Sequence, residues 1–401
     1  MSAAGCHGRE ASGPPVLSEG LRLFFPAAAC LAVLSPLVWT ALFGLSLPFG
    51  GEVPPSQWHA HEMLFGIYGA ALAGFLTSAV PEWTDTEPRR GRALLVLLVL
   101  WLPGRLVGLV GFAPLSGLAA VTDLAFLGLL FWYVLAALIA RGSTRHTSFA
   151  LWVALIWLTE GAIRLSWLIG EIELGARLLH AALAIYLVFF SLALARINVA
   201  VVNLALDPSG ATSRYRPHPG RQNLTAGLVA LYAAAALLAP RSAVPAYLAL
   251  AAGAAFFDRL AEWFIGRAVL RSHVFALAGA TLLAALGFTL IGLAGLGAPV
   301  APQTGFHVLA VSCLGLAVLA VFVIAGLRHT GRPLVLPWQA HAAFALMALA
   351  GLARVLPELG IGSSLAGAHY VVASLLWSAA FAVWLWGFLP ALLSPTLDPP
   401  G

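Results

Sequence analysis

Apolar residues fill most of the chain in long runs, which short polar connections separate. Runs close to the length of a hydrocarbon core lie at about 21–46, 58–80, 92–111, 115–140, 147–169, 176–202, 223–240, 242–257, 272–296, 303–327, 336–357 and 363–393. Backbone polar groups in lipid must be hydrogen-bonded within their own segment, so each run is expected to be a helix. The pattern predicts an all-α, polytopic transmembrane bundle of about twelve helices.

The polar stretch Asp207–Gln222 divides the runs into two sets of six. We therefore predict one transmembrane domain, 21–393, with six-helix halves 21–202 and 223–393 that a cytoplasmic loop, 203–222, joins. Residues 1–20 are polar and rich in Gly and Pro, and are expected to form a disordered cytoplasmic tail; residues 394–401 form a short C-terminal tail. The seventh and eighth runs are short and Ala-rich, which leaves ten or eleven helices as alternatives.

Composition supports a membrane protein and assigns an orientation. Hydrophobic residues make up 61% of the chain and charged residues 9%, whereas a soluble domain carries roughly 25% charged residues. All 21 basic residues are arginine. With twelve alternating spans, fifteen arginines fall on the side of the N-terminus and only Arg177 and Arg241 on the other. By the positive-inside rule both termini are cytoplasmic, and this charge needs no nucleic-acid partner to explain it.

The segment Trp58–Gly66 carries the strongest candidate chemistry, because polar groups at membrane depth are costly and functional by default. His59 and Met63 are four residues apart, on one helical face, and imidazole with thioether suits haem iron or copper(I). His61 can join His59 on the same side only where the backbone is still extended, and Glu62 can orient an imidazole. The alternative is a belt of polar side chains at the lipid headgroups.

Other polar residues in the spans allow structural and functional interpretations. His307 opens the tenth run and His329 closes it, as ligands or as helix-end residues that meet headgroups. Glu160 and Arg164 are one turn apart and are expected to neutralise each other, with a proton path as the alternative. The remaining charges have these expected partners: Asp123 with Arg105 or Arg354, and Arg196 with headgroups or a haem propionate. There is no CxxC, CxxCH, Walker or HExxH motif.

Several motifs, taken in order, resemble the NnrS family. They are Trp58-His-Ala-His-Glu-Met-Leu-Phe-Gly66, Ala73-Gly-Phe-Leu-Thr77, Val80-Pro-Glu-Trp-Thr84, Leu100-Trp-Leu-Pro-Gly-Arg105, Arg328-His-Thr-Gly-Arg332 and Leu352-Ala-Arg-Val-Leu356. The resemblance implies a multi-pass bacterial inner-membrane protein with b-type haem and copper, tied to nitric oxide, nitrosative stress and denitrification. Matched by position, it implies metal-site histidines His59, His61, His273, His307 and His329, with Arg105, Arg332 and Arg354 as supporting charges.

The chain departs from the family at two places. It reads Arg196-Ile-Asn-Val-Ala where a Val-Ile-Pro run is expected, and Glu82 stands where many relatives have asparagine. These departures put a role for Arg196 in question. His180, His341 and His369 match no motif of the family.

The function expected from the residues and the resemblance is an integral membrane haem/copper protein that binds, detoxifies or senses nitric oxide. Its partners are nitric oxide or a metal–nitrosyl species and the lipid bilayer. No catalytic residue is identified, and redox activity on nitric oxide is one option among these. Two alternatives stay open: a transporter for a metal or an iron–nitrosyl species, and a membrane assembly partner whose histidines are only interfacial.

Overall fold

The structure, a computed structural model, describes residues 13–44, 53–110, 115–142, 147–207, 209 and 215–397. Over these residues it has no strand, and it forms twelve long helices. They are α1 (Gly20–Gly44), α2 (Pro55–Thr84), α3 (Arg92–Val110), α4 (Ser116–Arg141), α5 (Thr147–Leu168), α6 (Ile172–Leu206), α7 (Pro219–Leu238), α8 (Val244–Arg259), α9 (Ser272–Gly295), α10 (Pro302–Arg328), α11 (Trp338–Val355) and α12 (Ala368–Leu392). The predicted all-α bundle is confirmed.

Ten of these helices are long and apolar enough to cross a membrane, and α3 and α7 are the two others. Proline stands in the first turn of α2, α7 and α10, where its missing N–H costs nothing because no intrahelical acceptor exists there. Left-handed residues end two helices, Asp85 (φ 51°) after α2 and Gly142 (φ 63°) after α4. The cytoplasmic location of the termini stays a prediction.

Helices α2, α6 and α10 form the centre of the bundle. In their most apolar 18-residue windows 78%, 78% and 72% of residues are buried, against 39% for α4, α8, α11 and α12. Small residues four apart on one face of α2 explain its place: Gly66, Ala70 and Gly74. Ala70 is fully buried, and a Cβ on Gly74 would lie 2.8 Å from the Phe25 ring.

Two of the three central helices, α2 and α10, contain a seven-residue π-helical segment near their N-terminal ends. In α2 the segment is Glu62–Tyr68, directly after His61, and in α10 it is Val308–Leu314, directly after His307. The Tyr68 hydroxyl of the first segment donates to the Ala310 carbonyl of the second. Such wide turns change the direction of side chains and often occur at functional sites.

The chain ends pack against the bundle at the opposite end of α2. Arg22 donates to the carbonyls of Ser394 at 2.6 Å and His329 at 3.0 Å, which satisfies acceptors beyond the last turns of α12 and α10. In the segment expected as an N-terminal tail, Pro15–Leu17 forms a 3₁₀ turn. Residues 1–12 and 398–401 of the two expected tails, and 208 and 210–214 of the expected loop, lie outside the described residues.

Candidate functional site

His59 and His61 enter two different environments, although only one residue separates them. The backbone is helical from Pro55 rather than extended, and residues two apart on a helix do not share a face. His61 is fully buried and points towards α5, whereas His59 packs against Trp39 of α1. The condition under which both imidazoles would lie on one side is therefore not met.

His61 lies between two carboxylates. Its Nδ1 is 3.0 Å from Glu62 Oε1, and its Nε2 is 2.9 Å from Glu160 Oε2. The ring also stacks on Phe65, with centroids 4.9 Å apart. Because both ring nitrogens face carboxylate oxygens, the arrangement suits a ring that carries both N–H protons.

Two arginines complete this network. Arg164 donates from Nε to Glu160 at 2.7 Å and from a terminal nitrogen to Asp123 at 2.6 Å. Arg105 binds the same Asp123 oxygen at 2.7 Å and lies 3.1 Å from Glu62. The expected Glu160–Arg164 pair is confirmed, and of the two partners proposed for Asp123 the structure has Arg105.

The six side chains form an ion-paired group across α2, α3, α4 and α5, which we call the charge network: His61, Glu62, Arg105, Asp123, Glu160 and Arg164. All are buried, and the charges balance when His61 is protonated, since three carboxylates then meet two guanidinium groups and one imidazolium. Buried charges of this kind persist only when they are paired and hydrogen-bonded.

Three glycines provide the space that the charge network needs. A Cβ on Gly104 would lie 2.5 Å from both Asp123 oxygens, one on Gly108 would lie 2.5 Å from the Glu62 carboxyl carbon, and one on Gly66 would lie 2.6 Å from Arg105. Real Cβ atoms do not approach so closely, so a larger residue would displace these charges. Helices α2 and α3 thus contact the charge network through glycines, which have no side chain to displace it.

The charge network has the residue types of a metal site but already holds a cation. Ligand atoms of His61, Asp123 and Glu160 lie within 4.8 Å of one another. The Arg164 guanidinium contacts all three of these residues, including His61 Nε2 at 3.2 Å. A metal ion here would have to displace Arg164, so we assign the network a structural role.

His59 lies next to the charge network but has a free ligand atom. Its Nδ1 is buried and hydrogen-bonds to no described residue, while its ring stacks on Trp39 with centroids 4.5 Å apart. A cavity of about 20 Å³ adjoins it, lined also by Trp58, Gly108 and Glu62 of the charge network. The Glu62 Oε2 atom is buried and makes no hydrogen bond to a described residue, although it lies 3.1 Å from Arg105. The volume of the cavity holds one small group, so a metal ion or a diatomic molecule fits, whereas a porphyrin does not.

His307 lies near the start of α10, directly before its π segment. Its Nδ1 lies 2.7 Å from the Gln303 carbonyl, and Arg354 lies 3.2 Å from each ring nitrogen. Arg354 also pairs with Glu358. Arg354 can therefore leave His307 and keep a partner, which would free Nε2 of His307 as a second ligand.

Two histidines outside every family motif lie at the same end of the bundle. The buried Nε2 of His369 has no partner among the described residues. His180 stacks on Phe306, next to His307, with centroids 3.9 Å apart. The sequence signal for them is their predicted depth in the membrane. Both occur near the beginning of an even-numbered span, as His59 and His307 do.

The other predicted site residues lie elsewhere. His273 lies in the first turn of α9, and His329 follows the end of α10, 3.3 Å from Glu19. Arg332 is 3.4 Å from the Thr330 carbonyl. These residues are not brought to His59.

Two further side chains of interest, Met63 and Arg196, pack against apolar groups. Met63 packs, half-buried, against the core. Arg196 lies over the Trp83 ring, 4.4 Å from its centroid.

The fold and these sites define a multi-pass helical membrane protein with a buried, ion-paired charge network beside a histidine cluster. The chain belongs to the NnrS family: the family model, described as NnrS protein, matches residues 15–396. A search of the curated proteins finds no match.

Proposed function

We propose that this NnrS-family protein is a bacterial inner-membrane metalloprotein of the nitric oxide response, and that His59 is the first ligand of its copper. One observation carries the proposal: the buried Nδ1 of His59 has no hydrogen-bond partner among the described residues, and His59 lines a cavity of about 20 Å³. An unpaired buried polar atom is costly, and a bound metal would remove that cost. Imidazole nitrogen is a good donor for copper.

The surrounding side chains have distinct parts in this proposal. His59 would hold the ion, His307 would supply a second nitrogen once Arg354 leaves it and keeps only Glu358, and Trp39 and Trp58 would exclude water. Copper(I) held in this way supplies a direct binding position for nitric oxide. Nitric oxide is small and apolar, so it reaches such a position through the bilayer. The b-type haem implied by the family does not fit the cavity, and we derive no step through it.

The test is the metal and haem content of the purified full chain, followed by addition of nitric oxide. We expect close to one copper per chain, together with a change in the absorption or electron paramagnetic resonance spectrum when nitric oxide is added to the reduced protein. Protein that retains no copper after copper-replete expression, or copper protein whose spectrum nitric oxide leaves unchanged, would contradict the proposal. Haem found at stoichiometric amount would have to be assigned to another part of the chain.

The charge network favours one second candidate, a transporter for a metal or an iron–nitrosyl species, because its carboxylates and His61 could act as a cation site if Arg164 moved away. Transport predicts copper uptake into proteoliposomes above that of empty liposomes, with the same rate in His59→Ala. The metalloprotein proposal predicts copper bound to the chain and no accumulation in the lumen.

A further inference from the structure

A second cavity lies at the far end of α2, between α2, α4 and the connection that follows α2. Its volume is about 150 Å³. The floor is apolar, with Leu76 and Val80 from α2 and Leu130 and Val134 from α4. Thr77, which also lines this cavity, lies eighteen residues along α2 from His59, a distance of about 27 Å. The cavity is therefore separate from the proposed metal site.

The mouth of this cavity is polar and carries an arginine. Arg89 and Glu87 line it together with Thr86, and the Arg89 guanidinium lies over the Tyr133 ring, 4.8 Å from its centroid. No described carboxylate is within ion-pair distance of Arg89. A positive charge held by an aromatic ring, without a counter-ion, is a site for an anion.

The wider charge distribution at this mouth is positive. Besides Arg89, the residues around it include Arg90, Arg92 and Arg141, all exposed, against the exposed carboxylates of Glu82, Asp85 and Glu87. Asp85 pairs loosely with Arg141 at 3.8 Å. Four positive charges against three negative charges leave an excess of one.

The α4 side of the cavity opens towards the surface that would face lipid. Of its lining residues Ala137 is buried, Ala136 and Tyr133 are half-buried, and Ala140 is exposed. The small side chains of these alanines create the groove. Beside it on α4, Trp132 and Ile139 are 55% and 65% exposed, as residues in contact with acyl chains would be.

We propose that this cavity is a binding site for an anionic phospholipid. The phosphate lies at Arg89, and one acyl chain enters the groove over Ala137 towards Leu76 and Val134. An anion in water would need only the arginines, whereas the apolar floor requires a ligand that also has a hydrocarbon part. Excess positive charge at a pocket between membrane helices is the feature that recognises anionic headgroups.

The experiment uses the detergent-purified full chain after lipid removal, with dioleoylphosphatidylglycerol as the anionic probe and dioleoylphosphatidylcholine as the zwitterionic one. Bound lipid is counted by native mass spectrometry, and the dissociation constant is obtained from the lipid-dependent rise in Tm. The variants are Arg89→Gln and Ala137→Phe. The matched control is Arg271→Gln, because Arg271 is also an arginine just before the start of a helix and does not line this cavity.

We expect one phosphatidylglycerol to bind more tightly than phosphatidylcholine, and Arg89→Gln to weaken it about fivefold, as expected for one arginine at an anionic headgroup. Ala137→Phe fills the groove and should weaken binding although no charge changes. Arg271→Gln should have no effect.

Equal losses in Arg89→Gln and Arg271→Gln would overturn the proposal in favour of diffuse surface charge. Equal affinity of the wild type for the two lipids would also overturn it. Displacement of phosphatidylglycerol by decylubiquinone, with unchanged affinity in Arg89→Gln, would assign the cavity to a quinone instead. Arg89→Gln changes a half-buried side chain at the rim and should fold, so the test does not depend on Ala137→Phe.

Discussion

His61 and His59 are neighbours on α2, yet their nitrogens have opposite surroundings. Both nitrogens of His61 face carboxylates at 3.0 Å or less, and the five other members of the charge network are ion-paired with one another. His59 has a buried nitrogen without a described partner and a cavity beside it. A buried imidazole whose two nitrogens both have polar partners stabilises the fold, whereas one with an unpartnered nitrogen is available to a ligand. Only the second kind is a good candidate for function here.

The largest effect on stability is expected when the charge network loses one of its charges. Glu160→Gln leaves Arg164 and His61 with an uncompensated buried charge, which costs about 3–5 kcal/mol in buried ion pairs. We expect a large fall in Tm in detergent, or protein that elutes as aggregate. Glu173→Gln, an exposed carboxylate at the start of α6, is the control and should leave Tm unchanged. Equal Tm values for the two variants would show that the charge network does not stabilise the bundle.

Crowding the same region should have an intermediate effect. Gly108→Ala adds a Cβ that would lie 2.5 Å from the Glu62 carboxyl carbon, and overpacking of this kind costs about 1–3 kcal/mol. Gly117→Ala is the matched helical control, because a Cβ there meets nothing within 4 Å. We expect a lower Tm for the first variant and an equal or higher one for the second. The reverse order would mean that the α3 backbone does not approach Glu62 as the structure has it.

The smallest effect concerns two buried tyrosines. Tyr68→Phe removes the hydroxyl that joins the π segments of α2 and α10, and side-chain hydrogen bonds in membrane proteins average about 0.6 kcal/mol. The hydroxyl of Tyr186 is buried without a described partner, so Tyr186→Phe should be neutral or stabilising. Chemical unfolding of both variants in mixed micelles checks this. A loss in Tyr186→Phe as large as that in Tyr68→Phe would contradict the assigned bond.

The apolar runs predicted the twelve helices well, because in lipid a long apolar segment has no other structure that satisfies its backbone. Helix ends were less predictable: the run expected over 176–202 is a helix over Ile172–Leu206. Polar residues at the interface continue a helix without adding to the apolar signal. The π segments left no periodicity in the pattern and were not predicted.

Contacts within the charge network could be predicted from the sequence only between residues that are close together along the chain. Glu160 and Arg164 are one turn apart and were expected to pair, whereas His61 and Glu160 are 99 residues apart in sequence and meet only through the packing of α2 against α5. The sequence also could not separate His59 from His61, since that depends on where the helix begins. The roles of His59 and His307 as metal ligands stay predictions.

The measurement that tests the central claim most directly is copper and haem content, per folded chain, in wild type, His59→Ala, His307→Ala and His341→Ala. His341 is the matched control for His307, since it too is near the start of a helix with Nδ1 close to the carbonyl four residues earlier, at 3.2 Å. The account predicts that His59→Ala loses copper and its nitric oxide spectrum, that His307→Ala binds copper more weakly, and that His341→Ala matches wild type. Full copper content in His59→Ala, with the nitric oxide spectrum unchanged, would contradict it.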